Sequence, residues 1–516
     1  MVIIIPKDEL LHILFPGLQP DAAEADILRA FRKQYTIGNY TPDIKIDGAQ
    51  VAIHFDEHLA QAARETQQRI IALSEKGQYA QAKALLEPII QAGASNSELY
   101  RIYGQILYQE GDTDAAMNHL IDALRWNPEN TAALIMLGNL YAQVQDDLPT
   151  ALQFFQKAVS LQPGDYTALN NLAGILAKTN RMEEALERFH RVLELKPDYP
   201  QASYGIALIF EQQGNLLEAF NWAIRALQAA SGEYQSMEPT CRKFAYHVAK
   251  SYMEATDPEE LYGPYLQKLQ ARSSRPIRLE EATDIPVPAK LLVAEYRHID
   301  THTVQFKPGQ PYATHLIMHE LGHLDLILEA RQARENQLFV SNDLNYQQFL
   351  SRTSKDRQKM LKSGLLSNQA DGFLKFLFQG INSQLYNAPL DLFIEERLFH
   401  SYPELRPVQF LSLRALYQDA IDGANNKQVG GLAPAFVRNA NITLSYVLLL
   451  QYRALFGLDL TAEIREPALL RKAEGFYQDY LDMKDDKGPG EEYDLIEWWG
   501  EDLKLKGLYR LEGERG

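Results

Sequence analysis

The chain of 516 residues contains one cysteine, Cys241. A single thiol closes no disulfide within the chain and builds no cysteine-based metal site. Basic runs are absent too, and the formal net charge is −17. So little cationic surface releases few counterions from a phosphate backbone, which argues against nucleic-acid binding. No stretch approaches the roughly 20 consecutive apolar residues that span a bilayer. The opening MVIIIPKDELL has no cationic leader, and Lys7 and Asp8 interrupt its short apolar run, so it does not read as a secretory signal. The expected setting is the cytoplasm, away from membranes and nucleic acids. What is present is the composition of a folded protein, 46% hydrophobic and 23% charged. The length implies two or three domains.

The first half carries a period. ELYRIYGQILYQEGDTDAAMNHLIDALRWNPEN sets Tyr100, Gly104, Leu107, Gly111, Ala116, Leu120, Ala123 and Pro128 in a register that returns three times. The second copy has Leu134, Gly138, Tyr141, Ala151, Phe155, Ala158 and Pro163, with one residue inserted near Asp146. The third has Leu169, Ala173, Leu176, Ala185, Phe189, Val192 and Pro197. The fourth has Ala207, Phe210, Gly214, Ala219, Ala223 and Ala226. Counting back from Gly111 reaches Gly77, with Ala82, Leu86 and Ile89 in phase as a degenerate first copy. Small residues such as Gly104 and Ala116 let two helices approach, and large ones such as Leu120 and Phe155 fill the gaps between copies. Residues 63–230 thereby resemble tetratricopeptide repeats. The resemblance implies an α-solenoid of about five repeats over residues 59–235, whose concave face binds a protein or peptide, or holds the rest of its own chain.

Residues 1–58 read as a small α+β element. Asp21 to Gln34 is amphipathic, and Ile44, Ile46, Val51, Ile53 and Phe55 alternate about an Asp47-Gly48 hairpin turn. Residues 236–288 read as connecting helices and a proline-bearing linker. AKLLVAEYRHIDTHTVQFKPGQP then predicts two strands that open a domain over residues 289–516. DGANNKQVGGLAPAF reads as a glycine-rich loop. The acidic MKDDKGPGEEYDLIEWWGEDLKLKG reads as a solvated tail with Trp498 and Trp499 as docking residues.

Between Pro311 and Gln337 a helix is expected, with apolar residues nearly all round and therefore buried. His319, Glu320 and His323 lie inside it. Burying such groups costs several kcal/mol unless they are paired or bind metal. Residues four apart share a helix face, so both imidazoles can grip one ion, while Glu320 points aside toward a water on that ion. This HExxH pattern resembles the zincin metallopeptidases. The resemblance implies Zn2+ held by His319 and His323, with Glu320 as general base. His315 also lies one turn before His319, but no glutamate follows it, so it reads as packing or support.

The further glycine and histidine of the extended zincin motif are replaced here by Leu326 and Glu329. Glu329 is expected to pair with Arg331 or Arg334. A better source of a third ligand is PLDLFIEERLFHSYPEL, read as a helix opened by Pro389 and followed by Pro403. It resembles the later ligand helix of the gluzincins, and its IEER segment that of some bacterial metallopeptidases. This implies Glu395 as third ligand, with Glu396 as the alternative. Asp325, Asp391 or the unused glutamate would then orient a ligating imidazole. A salt bridge of either glutamate to Arg397 is the competing account. His400, Tyr402, Tyr446 and Arg453 are the candidates for stabilising a tetrahedral intermediate.

The expected fold is mainly α: a small α+β element, a tetratricopeptide solenoid and a C-terminal α+β zincin-like domain. The expected activity is zinc-dependent peptide-bond hydrolysis on a substrate or regulator recruited by the repeats. Two alternatives stay open, a catalytically silent zincin-like adaptor and a metal-dependent hydrolase of a non-peptide amide or ester.

Overall fold

The computed structural model describes residues 1–8, 11, 14–19 and 21–514, without the side chains of 427–429. The chain divides into two compact units, Met1–Gly205 and Ile206–Gly516.

The first unit opens with a three-stranded antiparallel sheet of β1 (Val2–Pro6), β2 (Asp43–Asp47) and β3 (Gln50–His54), in the order β1-β3-β2. The expected hairpin joins β2 to β3, with Gly48 at φ +57° in its turn. Helix α1 (Glu24–Tyr35) closes the sheet by laying Ile27 and Phe31 against Ile5, Val51 and Ile53.

Helical hairpins follow. They are α2/α3 (Glu57–Glu75, Tyr79–Gln91), α4/α5 (Ser97–Gln109, Thr113–Trp126), α6/α7 (Thr131–Gln143, Leu148–Leu161), α8/α9 (Tyr166–Lys178, Met182–Leu195) and α10/α11 (Pro200–Gln212, Leu216–Ala229). Each hairpin turn holds one left-handed residue: Gly77, Gly111, Asp146, Asn180 and Gly214, at φ +70°, +88°, +51°, +62° and +76°. Their spacing is 34 residues throughout, except for 35 at the insertion before Asp146. Glycine, asparagine and aspartate are the residues that reach this conformation at least cost. Close packing inside the hairpins also follows the small–large pattern. A Cβ at Gly104 would lie 2.8 Å from Leu120, and one at Gly138 would lie 2.7 Å from the Phe155 ring. The division between units falls inside α10, so α11 belongs with the second unit and not with the earlier repeats.

In that second unit α11 packs on α12 (Glu238–Ala255), and α13 (Pro258–Arg272) follows. A mixed sheet of β4 (Ile277–Glu281), β5 (Ala289–Leu292) and β6 (His302–Phe306) has the order β4-β6-β5, with α14 (Ala294–Arg297) between β5 and β6. Strand β4 runs parallel to β6, and β5 antiparallel. Two strands were expected here. The third comes from the stretch read as linker, where IRLEE pairs despite the prolines on either side.

Strand β6 leads into α15 (Ala313–Ala333), the histidine helix. After it come β7 (Gln337–Val340), α16 (Asp343–Arg352), α17 (Ser354–Lys362), α18 (Ser367–Ser401), α19 (Arg406–Asn425), α20 (Lys427–Leu432), α21 (Ala435–Phe456), α22 (Pro467–Met483), α23 (Glu492–Asp502) and β8 (Arg510–Gly513). Strand β8 pairs antiparallel with β7.

Three further expectations change. The helix expected to open at Pro389 begins at Ser367 and runs through that proline to Ser401. Packing on both sides outweighs the missing backbone donor. The expected glycine-rich loop is the end of α19 and the short α20, with the side chains of 427–429 outside the described residues. The acidic tail is a packed helix. Trp499 is fully buried, stacks on Phe476 with centroids 4.9 Å apart and donates to Asp479 at 3.1 Å, while Trp498 stays exposed.

Helices α15 and α18 form the centre of the second core. Met318, Leu321 and Leu326 of the one meet Leu390, Ile394 and Leu398 of the other, with Tyr265 and Leu269 of α13 and Val304 of β6. The helices cross at Gly322, where an added Cβ would stand 2.5 Å from Ile394 Cγ2. Only a residue without a side chain permits that approach.

Candidate metal centre

At one turn's spacing, His319 and His323 project from α15 toward α18. His319 Nε2 and His323 Nε2 lie 3.2 Å apart. Asp391 Oδ1 lies 3.4 Å from the first and 3.3 Å from the second. These three atoms are the one His/Cys/Asp/Glu cluster with ion-holding spacing found among the described residues. A tetrahedral zinc bound at roughly 2.0–2.1 Å sets its ligand atoms about 3.3–3.4 Å apart. The triangle therefore matches one face of such a tetrahedron, and the fourth direction is left for a further ligand. Asp391 Oδ1 is buried and accepts no hydrogen bond, so this acceptor is unsatisfied by the protein. The donor set fits the ion.

On its other edge His319 meets Glu395, with Nδ1 donating to Oε1 at 2.7 Å. A carboxylate only accepts, so the Nδ1 proton is fixed there and a neutral His319 turns a bare Nε2 toward His323 and Asp391. Glu395 Oε2 also accepts from His315 Nε2 at 3.0 Å and from Gln409 Nε2 at 2.6 Å. Asp391 and Glu395 thus exchange the places expected of them: Asp391 joins the histidine pair, and Glu395 supports it from behind. They stand one turn apart on α18, and His319 reaches between them, Nε2 to one and Nδ1 to the other.

Burial opposes charge on all three groups, yet their mutual attraction outweighs it. Asp391 and Glu395 hold the His319 imidazolium well above the usual histidine range. His319 and His323 hold the Asp391 carboxyl below the usual range, and His315 and His319 do the same for Glu395. The site thus sets two carboxylates, Asp391 and Glu395, on either side of one imidazole.

Glu320 is half-buried beside the cluster and makes no side-chain hydrogen bond or ion pair among the described residues. The remaining expected residues lie elsewhere. Glu396 accepts from Lys484 at 2.6 Å and takes no part in the cluster. Asp325, expected to orient an imidazole, is buried in a separate ionic group with Tyr265 at 3.0 Å, Arg397 at 2.9 Å and Arg272. Glu329 pairs with Arg397 at 2.8 Å, not with Arg331 or Arg334. His400 is exposed and faces Glu396. Tyr402 packs at a tilt against Tyr265, Tyr446 donates to the Ile464 carbonyl at 2.7 Å, and Arg453 pairs with Asp459 at 3.1 Å. None of these four contacts the histidine pair.

Sequence reasoning missed Tyr417 of α19. It is buried, and burial first, then the nearby Glu395 and Asp391 charges, hold its phenol well above the usual range. Its ring packs edge-on against Tyr452, with centroids 5.8 Å apart. Nothing local marks it in the sequence, since α19 is brought there by contacts such as Gln409 to Glu395.

The tetratricopeptide repeat family model matches residues 68–125, 111–166 and 145–209. The chain carries tetratricopeptide repeats over that region, which ends well before the histidine helix. The peroxisomal targeting signal receptor of Saccharomyces cerevisiae is 33% identical over 93 residues, 18% of this chain and 15% of that protein. The DnaJ homolog subfamily C member 7 homolog of Dictyostelium discoideum is 24% identical over 256 residues, 45% of this chain and 46% of that one. The chain thus spans less than half the length of these curated relatives. Among solved structures, YrrB, described as a TPR protein with an unusual peptide-binding site, is 22% identical, covers 34% of this chain and 88% of its own, and has a TM-score of 0.29. MamA is 26% identical and covers 32% of this chain and 96% of its own, with a TM-score of 0.29. No helix among the described residues is long and apolar enough to cross a membrane.

Proposed function

We propose that this protein is a cytoplasmic zinc-dependent peptidase with a zincin-like C-terminal domain, and that its tetratricopeptide repeats recruit a protein or peptide substrate or regulator. The observation that carries the reading is the triangle of His319 Nε2, His323 Nε2 and Asp391 Oδ1, with edges of 3.2 to 3.4 Å. Those three residues would hold the ion, which when bound supplies a Lewis acid and lowers the pKa of water. Glu320, unpartnered and adjacent to His319 in sequence, takes the proton of the attacking water and delivers it to the leaving amine nitrogen as the C–N bond breaks. Glu395 keeps His319 in the Nδ1–H tautomer throughout. Tyr417, whose phenol is kept neutral by burial and by the Glu395 and Asp391 charges, is the candidate donor to the developing oxyanion. The receptor among the relatives is named for a targeting signal, which supports peptide or protein binding by the repeats of this chain as well.

Zinc analysis of the full chain tests the site. About one zinc per chain is expected in the wild type, lost in His323→Ala and in Asp391→Ala. Glu320→Gln should retain the zinc and lose casein hydrolysis by about 10²–10⁴-fold. Absence of stoichiometric zinc from the wild type would sink the peptidase reading. Zinc retained without cleavage of any protein would favour the silent adaptor, which the repeats alone support. Turnover of small amides or esters but not of casein would favour the non-peptide hydrolase.

A further inference from the structure

Behind the histidine pair runs a chain of buried polar groups. Ser412 Oγ lies 2.8 Å from His315 Nδ1, His315 Nε2 lies 3.0 Å from Glu395 Oε2, and Glu395 Oε1 lies 2.7 Å from His319 Nδ1. The first three residues of this chain come from three helices: Ser412 from α19, His315 from α15 and Glu395 from α18. Ser412 and Glu395 are 1% exposed and His315 is 0% exposed. The residue types resemble a serine–histidine–carboxylate nucleophile relay, but burial rules that out, because a nucleophile must be reached by its substrate. Burying a histidine and a carboxylate is costly unless every polar atom is used. Here both imidazole nitrogens of His315 and both oxygens of Glu395 are engaged, the second glutamate oxygen also by Gln409 at 2.6 Å. An apolar trio would fill the same space without that cost, so the chain calls for a role other than packing.

We propose that Ser412 and His315 are positioning residues for the metal centre: they clamp the Glu395 carboxylate so that it holds His319 with Nδ1 protonated and Nε2 directed at His323 and Asp391. The inference rests on the metal reading above and deepens it. Ser412 donates its hydroxyl proton to His315 Nδ1, which fixes the His315 proton on Nε2 and aims it at Glu395. Glu395 is then held from two sides, by His315 and by Gln409, and its remaining oxygen has one orientation. Without the clamp the carboxylate can rotate, His319 loses its tautomer preference, and the three-atom triangle is no longer preformed.

The test compares His315→Leu, His315→Gln and Ser412→Ala with the wild type, all as full-length protein. Zn2+ affinity is read by competition with a chromophoric chelator, and the His319 tautomer by long-range 1H–15N spectra of metal-free protein labelled on histidine. His315→Leu is expected to weaken zinc binding by about 10–100-fold, as loss of an outer partner does. His315→Gln keeps an Nε2–H donor for Glu395 and should recover most of that loss, and Ser412→Ala should fall between. In the metal-free spectra the wild type should show a His319 Nδ1 proton held in its hydrogen bond to Glu395, with that signature lost in His315→Leu. Should His315→Leu fail to fold, the Ser412→Ala affinity and spectrum decide. Unchanged zinc affinity and an unchanged His319 signature, even with a lowered Tm, would overturn the proposal and leave a structural role. Absence of zinc binding by the wild type would defeat the metal reading itself. The tautomer comparison would still say whether the clamp orients His319.

Discussion

The two units solve burial in opposite ways. In the first, Ser74 and Ser203 are the only fully buried polar side chains among the described residues, and the rest of its core is apolar. In the second, His302, His315, Asp325, Asn336, Asn382, Glu395, Gln409, Ser412, Gln451 and Glu492 are among those buried with the apolar core. The hairpins of the first unit are repeated local solutions. Each carries its own left-handed turn, and Gly104 with Leu120 and Gly138 with Phe155 repeat one small–large contact a hairpin apart, as stacked repeats do. Polar burial in the second unit is worth its cost only because partners from distant segments meet. The difference teaches where to look for a site: a core that keeps charged groups inside depends on the partners brought to them.

The ionic group at Asp325 should give the largest break between the two cores. Asp325→Ala leaves Arg272 and Arg397 facing a vacancy, and stability should fall by about 3–4 kcal/mol in urea unfolding of the full chain. No single polar change in the first unit should approach that. Next comes a matched pair of glycines. Gly322→Ala and Gly138→Ala each place a Cβ within 2.7 Å of a neighbour, and each should cost about 1–3 kcal/mol. Gly322→Ala should also weaken zinc binding by forcing α15 from α18, whereas Gly138→Ala should leave it untouched. Equal zinc affinities in the two variants would show that the helix approach does not build the site.

Smaller effects sharpen the contrast further. Gly111 stands at φ +88° with open space around it, so Gly111→Ala reports backbone strain alone. A loss of about 1–2 kcal/mol is expected, with no change in metal content. The smallest effect is a pH dependence in the second unit. Glu514 is partly buried, but the hydrogen bonds from Arg331 and Asn336 outweigh that burial and hold its carboxyl below the usual range. A folded-state pKa below the unfolded one contributes stability above the ordinary carboxylate range of about 4.3, and loses it as pH falls through the folded value. Glu514→Gln should therefore flatten the acid side of the Tm–pH curve by less than about 1 kcal/mol and leave Tm above pH 7 little changed by titration.

Much of the architecture was legible in the chain. The repeat register, the inserted residue at Asp146, the Asp47-Gly48 hairpin and the histidine helix all rest on contacts within a few tens of residues. Sequence reasoning went astray where distant packing overrode a local signal. Prolines around IRLEE read as linker, Pro389 read as a helix start, and a polar stretch around Trp499 read as a tail. Each signal is sound locally, but each was outweighed by a tertiary partner that no local pattern names: β6 for IRLEE, α15 and its neighbours for Pro389, and Phe476 with Asp479 for Trp499.

By itself, then, the sequence determined that the chain carries tetratricopeptide repeats and that His319 and His323 share one face of a buried helix, because both depend on fixed helical periods. It also confined the acidic partner to one stretch of α18. Which carboxylate joins the histidines was decided only by tertiary structure. Asp391 and Glu395 lie one turn apart and are equivalent by period. The crossing of α15 and α18 at Gly322 turns His319 Nε2 to the first and Nδ1 to the second, across a separation of 76 residues in sequence for the Glu395 contact. Helical spacing sets which residues share a face, and only the angle and depth at which two helices meet sets which atom of one reaches which atom of the other.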